Sequence, residues 1–210
     1  MPGRPGRTER LRRRWDKQAE SYDKEMTFAD RRFFGDTRAW VCDQATGDVL
    51  EVAIGTGLNL PHYPPGVRLS GVDLSPEMLA IARRRAEDLG RDVDLRVGDA
   101  QALDLPDGSF DTVVCTFALC AIPDEKRAVA EMARVLRPGG LLLLADHVEA
   151  GPWPIRAVQK LVDLFTGPIA GEYFARRPIR GVQAMGFAIE RHDRFKLGMV
   201  ERLAARKPLL

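Results

Sequence analysis

The pattern of apolar and polar positions changes near residue 48. Before it, from about Thr8 to Thr46, strand-like alternation is missing, and the chain predicts two or three helical pieces, one around TERLRRRWDKQAESYD and one around RRFFGDTRAWVCDQA. After it, short apolar runs alternate with helical stretches: DVLEVAI, VRLSGVD, VDLRVGD, FDTVVCTF and LLLLADHV. Runs that are apolar on both faces and separated by helices predict a parallel sheet covered on both sides. Ser75 and Pro76 form a helix start, with Met78, Ile81, Ala82 and Leu89 on one face and Gly90 as the stop. Asp124 is placed to cap a second helix through Val129, Met132, Ala133 and Leu136, ended by Pro138, Gly139 and Gly140. Beyond His147, PWPIRAVQKLVDLF and RRPIRGVQAMGF read as helical, and AIERHDRF and GMVERLAAR as two strands that pair as a hairpin.

The expected architecture is one doubly wound, mostly parallel α/β sheet with a C-terminal antiparallel hairpin and an N-terminal helical cover. The cover runs over residues 1–47, the core over 48–148, a helical insertion with proline joints over 149–186, and the terminal strands over 187–210. Charge is uneven. MPGRPGRTERLRRR carries six arginines against Glu9, so the rest of the chain is net −3 within a total of +2. That arm is either a solvated tail or a contact for an anionic surface. Cys42, Cys115 and Cys120 include no C-x-x-C pair, so reduced thiols are expected rather than a disulfide framework or a thiolate metal site. With no membrane-length apolar run and no secretory pattern, a cytoplasmic location is the expectation.

A ligand site is written into LEVAIGTGLNLPHYPPGVRLSGVDLS, which begins at Leu50. Gly55-Thr56-Gly57 lets backbone approach a ligand closely, and Asp73, at the end of the next strand, is placed to accept hydrogen bonds from both hydroxyls of a ribose. A dinucleotide fingerprint needs a third glycine where Leu60 and Pro61 stand, and a P-loop needs a Gly-Lys-Ser/Thr that is absent. A nucleoside without phosphates fits better, S-adenosylmethionine being one. Asp99 and Ala100, after the third strand, are placed at its adenine edge.

From about Tyr22 to Val148 the chain resembles class I S-adenosylmethionine-dependent methyltransferases of the ubiquinone-biosynthesis-like group, which have a Rossmann-like fold. ESYD, EVAIGTG, GVDLSPEML, GDAQALDLPDGSFDTVVCT and RVLRPGG carry the likeness in order. Within that group, GTGLNLPHYPPGVRL, VVCTFALCAIPD and ADHV are most similar to small alkyl-thiol methyltransferases and to bacterial phosphatidylethanolamine N-methyltransferases. The resemblance implies that Gly55, Thr56 and Gly57, with Asn59 beside them, serve the amino acid portion of the cofactor and that Glu51 orients them. It implies that Asp73 holds the ribose, Leu74 and Met78 flank the adenine, and Thr116 and Phe117 lie under the methionyl end. Tyr22 would close over the cofactor carboxylate. Ala53 stands where the motif's first glycine is usual, and its methyl is accommodated provided the residue keeps a negative φ.

An activated methyl donor leaves positioning and water exclusion to the protein, and the acceptor must present a lone pair. Few bases are offered. His147 after the fifth strand is the catalytic candidate, its other reading being a structural hydrogen-bonder; Asp146 either orients it or ends the strand. His62 and His192 read as incidental, and Cys120, near the expected methyl, as a space-filling thiol. Val158, Leu161, Leu164, Phe165 and Phe174 either wall an apolar acceptor pocket or pack as core, and Met26, Phe28, Phe33 and Phe34 form an opposite wall or pack on the domain. The leading expectation is methylation of a small, fairly apolar acceptor, first a thiol. A phospholipid headgroup amine comes next, with weak peripheral membrane contact through the arm but no integral segment. Small-molecule O- or C-methylation and cofactor binding without turnover complete the set. A nucleic-acid substrate is disfavoured by TFAL where an Asn/Asp-Pro-Pro-Tyr element would stand, and by the acidic body.

Overall fold

Apolar residues of alternate parity along the strands build two cores, because helices cover both faces of the sheet. The computed structural model describes residues 6–170 and 173–209, so the first five residues of the basic arm and Gly171 and Glu172 of the insertion lie outside the described residues. Strands β1 (Asp48–Val52), β2 (Arg68–Asp73), β3 (Val93–Val97), β4 (Phe110–Thr116) and β5 (Leu136–His147) run parallel. β6 (Ala188–Phe195) and β7 (Val200–Arg206) form an antiparallel hairpin, with β7 antiparallel to β5. The sheet order is β3-β2-β1-β4-β5-β7-β6. Leu50, Val52, Val113, Cys115, Leu142 and Leu144 face one side, and Val49, Val114, Leu141, Leu143 and Ala145 the other. The edge strands β3 and β6 are mostly exposed and carry charges such as Asp94, Arg96, Glu190 and Asp193, which discourage further strand pairing.

The helices α1 (Arg7–Ala29), α2 (Thr37–Cys42), α3 (Pro76–Asp88), α4 (Glu125–Val135), α5 (Trp153–Ala170) and α6 (Pro178–Ala184) complete the fold. The caps read from the sequence are present: the Met78 N–H donates to Ser75 Oγ at 3.1 Å and the Arg127 N–H to Asp124 Oδ1 at 3.0 Å. Two boundaries differ from expectation. α1 is one continuous helix that passes through a π turn at Asp30–Phe34 before Gly35 (φ 59°) breaks it, so the second expected piece is split. α4 stops at Val135, not at Pro138-Gly139-Gly140. The Gly108 and Ser109 N–H groups take up the Arg134 and Val135 carbonyls (3.0 and 2.8 Å), and Leu136 turns extended straight into β5. The three cysteines are buried and unbridged, and among the described residues no helix is long and apolar enough to cross a membrane.

Candidate active site

The strand order reverses between β1 and β4, and a cleft opens beyond their carboxyl ends. Ten of the predicted residues line it: Tyr22 from α1, Ala53 and Gly55 after β1, Asp73, Leu74 and Met78 after β2, Asp99 and Ala100 after β3, and Thr116 and Phe117 at the end of β4. Glu51, Thr56, Gly57 and Asn59 stand outside the lining, and His147, the last residue of β5, packs against the lining residue Phe117.

The loop after β1 is shaped by its backbone. The Ile54 N–H reaches the Val72 carbonyl at 3.1 Å and the Gly55 N–H reaches Asp73 Oδ2 at 2.8 Å. Making that turn puts Ala53 at φ 57°, so the condition of a negative φ, under which its methyl would be accommodated without strain, is not met. A residue with a side chain is strained there by roughly 1–2 kcal/mol. Phe117, the residue after β4, is likewise left-handed at φ 53°, so strain brackets the switch point on both strands. Gly57 shows why glycine is kept: at φ 78° a Cβ would come within 2.8 Å of Leu60 Cδ1.

Asp73 is buried, and its Oδ1 accepts from the Ser75 N–H at 2.8 Å. Burial raises its carboxyl to about 6 despite these donors. Each oxygen accepts one of these backbone donors, which leaves the carboxylate acceptor capacity for two hydroxyls. Glu51 accepts from Asn59 Nδ2 and Tyr63 OH, both at 2.8 Å, and burial pushes it up to about 7. Asn59 also donates to Thr116 Oγ1 (2.9 Å) and accepts from Arg38 Nη1 (3.0 Å), so this buried network ties the loop to β4.

Residues that the sequence reading passed over hold the cover down. Thr56 faces α1 rather than the cleft, donating to Asp23 Oδ1 at 2.6 Å, and Arg85 of α3 pairs with the same carboxylate. Ser75 donates to Asp16 Oδ1 at 2.6 Å. Asp16 and Asp23 lie two helical turns apart, as do Trp15 and Tyr22, which with Leu11 roof the cleft. The seven-residue spacing in WDKQAESYD signals that each pair shares a helix face, but not what that face meets.

On the other side of β4 the surroundings are apolar. Phe34 stacks on Phe117 at 4.2 Å between ring centroids, and His147 packs against Phe34, Phe117 and Phe174 at 4.9, 5.6 and 6.2 Å. The Nδ1 atom of His147 is buried without a hydrogen-bond partner, 3.8 Å from Asp146 Oδ1. Asp146 accepts from the Cys120 N–H, its carboxyl is raised by burial, and polar atoms of Cys120, Asp146 and His147 lie within 4.8 Å of one another. His62, in a 3₁₀ turn, and His192, paired with Glu201 at 3.1 Å, are not among the residues lining the cleft. Neither are Val158, Leu161, Leu164 and Phe165, which are exposed and form neither wall nor core; of that set only Phe174 reaches His147. Phe28 and Phe33 are exposed as well, whereas Phe34 is buried.

Residues 50–144 match the methyltransferase domain family. That stretch, which runs from β1 into β5, is similar to a methyltransferase domain, and the likeness implies S-adenosylmethionine as the cofactor of this cleft. A phosphatidylethanolamine N-methyltransferase of Cereibacter sphaeroides is 46% identical over 121 residues, 57% of this chain and 60% of the relative. A demethylmenaquinone methyltransferase of Thermus thermophilus is 38% identical over 143 residues (64% and 65%), and a human thiol S-methyltransferase 34% over 134 (61% and 54%). This chain therefore spans between about half and two thirds of the length of these relatives. The solved structure of a S-adenosylmethionine-dependent methyltransferase from Thermotoga maritima shares the fold, with TM-score 0.71 at 19% identity over 92% of this chain and 98% of that one. The cleft suits the cofactor: two acids and no lysine or arginine among its described lining residues, as a sulfonium-bearing nucleoside without phosphates requires.

Proposed function

We propose that this protein transfers the methyl group of S-adenosylmethionine to a small, fairly apolar acceptor, a thiol first. The observation that carries this reading is the cleft's composition: Asp73 and Asp99 are its acids, Phe117, Ala118, Ala121 and Ile122 give it apolar surface, and there is no cationic side chain among the described lining residues. A neutral apolar acceptor is accommodated there, with no cationic side chain in the described lining to recognise an anionic acceptor.

In this reading Asp73 would accept from the ribose hydroxyls, Leu74 and Met78 would flank the adenine, Asp99 and Ala100 would meet its edge, and Thr116 and Phe117 would lie under the methionyl end. Tyr22 closes over the carboxylate from α1, while Glu51, Ala53, Gly55, Thr56, Gly57 and Asn59 shape and brace the loop. When bound, the cofactor supplies an already activated methyl on its sulfonium. The protein's part is then to align the acceptor and remove its proton. His147 takes that proton from the thiol, and Asp146 beside it stabilises the imidazolium so formed. Phe34, Phe117 and Phe174 pack around the imidazole and hold its ring in place.

The test is methyl transfer from labelled S-adenosylmethionine to a panel of thiols, phenols, amines and phosphatidylethanolamine vesicles, with Asp73→Ala as the blank. Labelled thioether from the wild type alone is the expected result. Label confined to the phospholipid amine, or to a phenol or carbon acceptor, would overturn the thiol assignment.

A further inference from the structure

Helix α5 is amphipathic the wrong way round for a helix covered only by water. Its polar residues Gln159 and Asp163 point inward. Gln159 accepts from the Ala150 N–H at 2.6 Å and donates to the Val148 carbonyl at 3.1 Å, while Asp163 accepts from the Phe174 and Ala175 N–H groups at 2.7 and 3.0 Å. Its apolar residues point outward at helical spacing: Trp153 is 73% exposed, Val158 59%, Leu161 58%, Leu164 68% and Phe165 63%. The only acid of the helix is the inward Asp163, so the outer face carries no negative charge. An apolar stripe of this extent on a described surface marks a contact site.

We propose that α5 lies in the plane of an anionic lipid bilayer, its apolar stripe among the acyl chains. Charge selects this occupant. Arg156 and Lys160 of α5 and Arg180 of α6 converge at 4.0, 3.8 and 3.8 Å on the single carboxylate Glu149, leaving a cationic rim suited to anionic headgroups. A second copy docked on the same stripe about a twofold axis would set those rims against each other. The β6–β7 turn extends the surface: its exposed Leu197 accepts a hydrogen bond from Gly151, just before α5, at 2.9 Å. Trp153 at the start of the helix is a residue type favoured at the water–lipid boundary. The contact is independent of which acceptor is methylated.

The experiment is flotation of the full chain with vesicles of phosphatidylcholine alone or mixed with phosphatidylglycerol, read together with tryptophan emission. The wild type is expected to float with the anionic vesicles, shift its emission to the blue, and be quenched by brominated acyl chains. Leu164→Asp combined with Phe165→Asp is expected to lower partitioning on the order of tenfold while leaving the thermal melt unchanged. Trp153→Phe provides an independent check, since it is expected to retain flotation and lose the quenching. Three results would overturn the proposal: no flotation with either vesicle, flotation undiminished by the double substitution, or a lipid-free dimer that the double substitution converts to monomer.

Discussion

Two helices, α1 over the cleft and α5 outside its lining, are attached by the same device to opposite effect. α1 is strongly polar, buries little beyond Ala19, and is pinned by Asp16 to Ser75 and by Asp23 to Thr56 and Arg85. α5 is apolar, yet it too is held by polar side chains, Gln159 and Asp163, gripping backbone. In α1 the inward polar groups position Trp15 and Tyr22 over the cofactor end. In α5 they turn the apolar side chains away from the protein. Hydrophobicity alone therefore does not say which way a helix faces when a few directional hydrogen bonds compete with it.

The sharpest way to separate the two sides of the cleft is His147→Ala, which is expected to lower thiol methylation by about 10²–10³-fold with cofactor affinity unchanged. Acceptors already ionised at the assay pH should recover most of that loss, which a merely structural histidine would not permit.

The cofactor side should respond instead to pH. Ribose hydroxyls donate to ionised Asp73, whose carboxyl in the free protein is raised to about 6. Cofactor affinity is therefore expected to be roughly tenfold weaker at pH 5 than at pH 8, with proton release on binding measurable by calorimetry in buffers of different ionisation enthalpy. Stability of the free protein runs the other way. Asp73 near 6 and Glu51 near 7 hold protons that the unfolded chain has released, so their contribution is fully present below about pH 4 and is lost as pH rises through about 7. Denaturant midpoints at pH 5, 6.5 and 8 measure this contribution.

Asp23→Ala frees α1 from both the loop and α3 and is expected to weaken cofactor binding about fivefold. The outward substitutions on α5 should leave that affinity within about twofold. Equal losses from both would erase the contrast between the helices. The smallest effect is expected at Ala53→Gly. Relief of left-handed strain, less the added freedom of the unfolded chain, should stabilise the fold by about 0.5–1 kcal/mol, read from denaturant unfolding.

Much of this was legible in the chain. Doubly apolar strands, the Ser75 and Asp124 caps and the acids ending β2 and β3 are local signals, and each was placed by spacing alone. The acids bordering the cleft were readable because strand ends in this topology converge on one edge. Less legible were Asp16 and Asp23, whose partners Ser75, Thr56 and Arg85 are 33 to 62 positions away. The outward face of α5 was expected as either a pocket wall or packed core and is neither, because an apolar stripe predicts burial but not the body that buries it.

The sequence by itself determined the sheet, its order of strands and helices, and the chemistry of the cofactor edge, since periodicity, caps and short-range turns are enough to specify those. Only the tertiary structure decided that Ala53 and Phe117 take left-handed backbone, that His147 is enclosed by three phenylalanines, and that α5 turns its apolar side outward. The physical reason is common to all three: each depends on hydrogen bonds or contacts between segments brought together by the fold, and no local pattern carries their geometry.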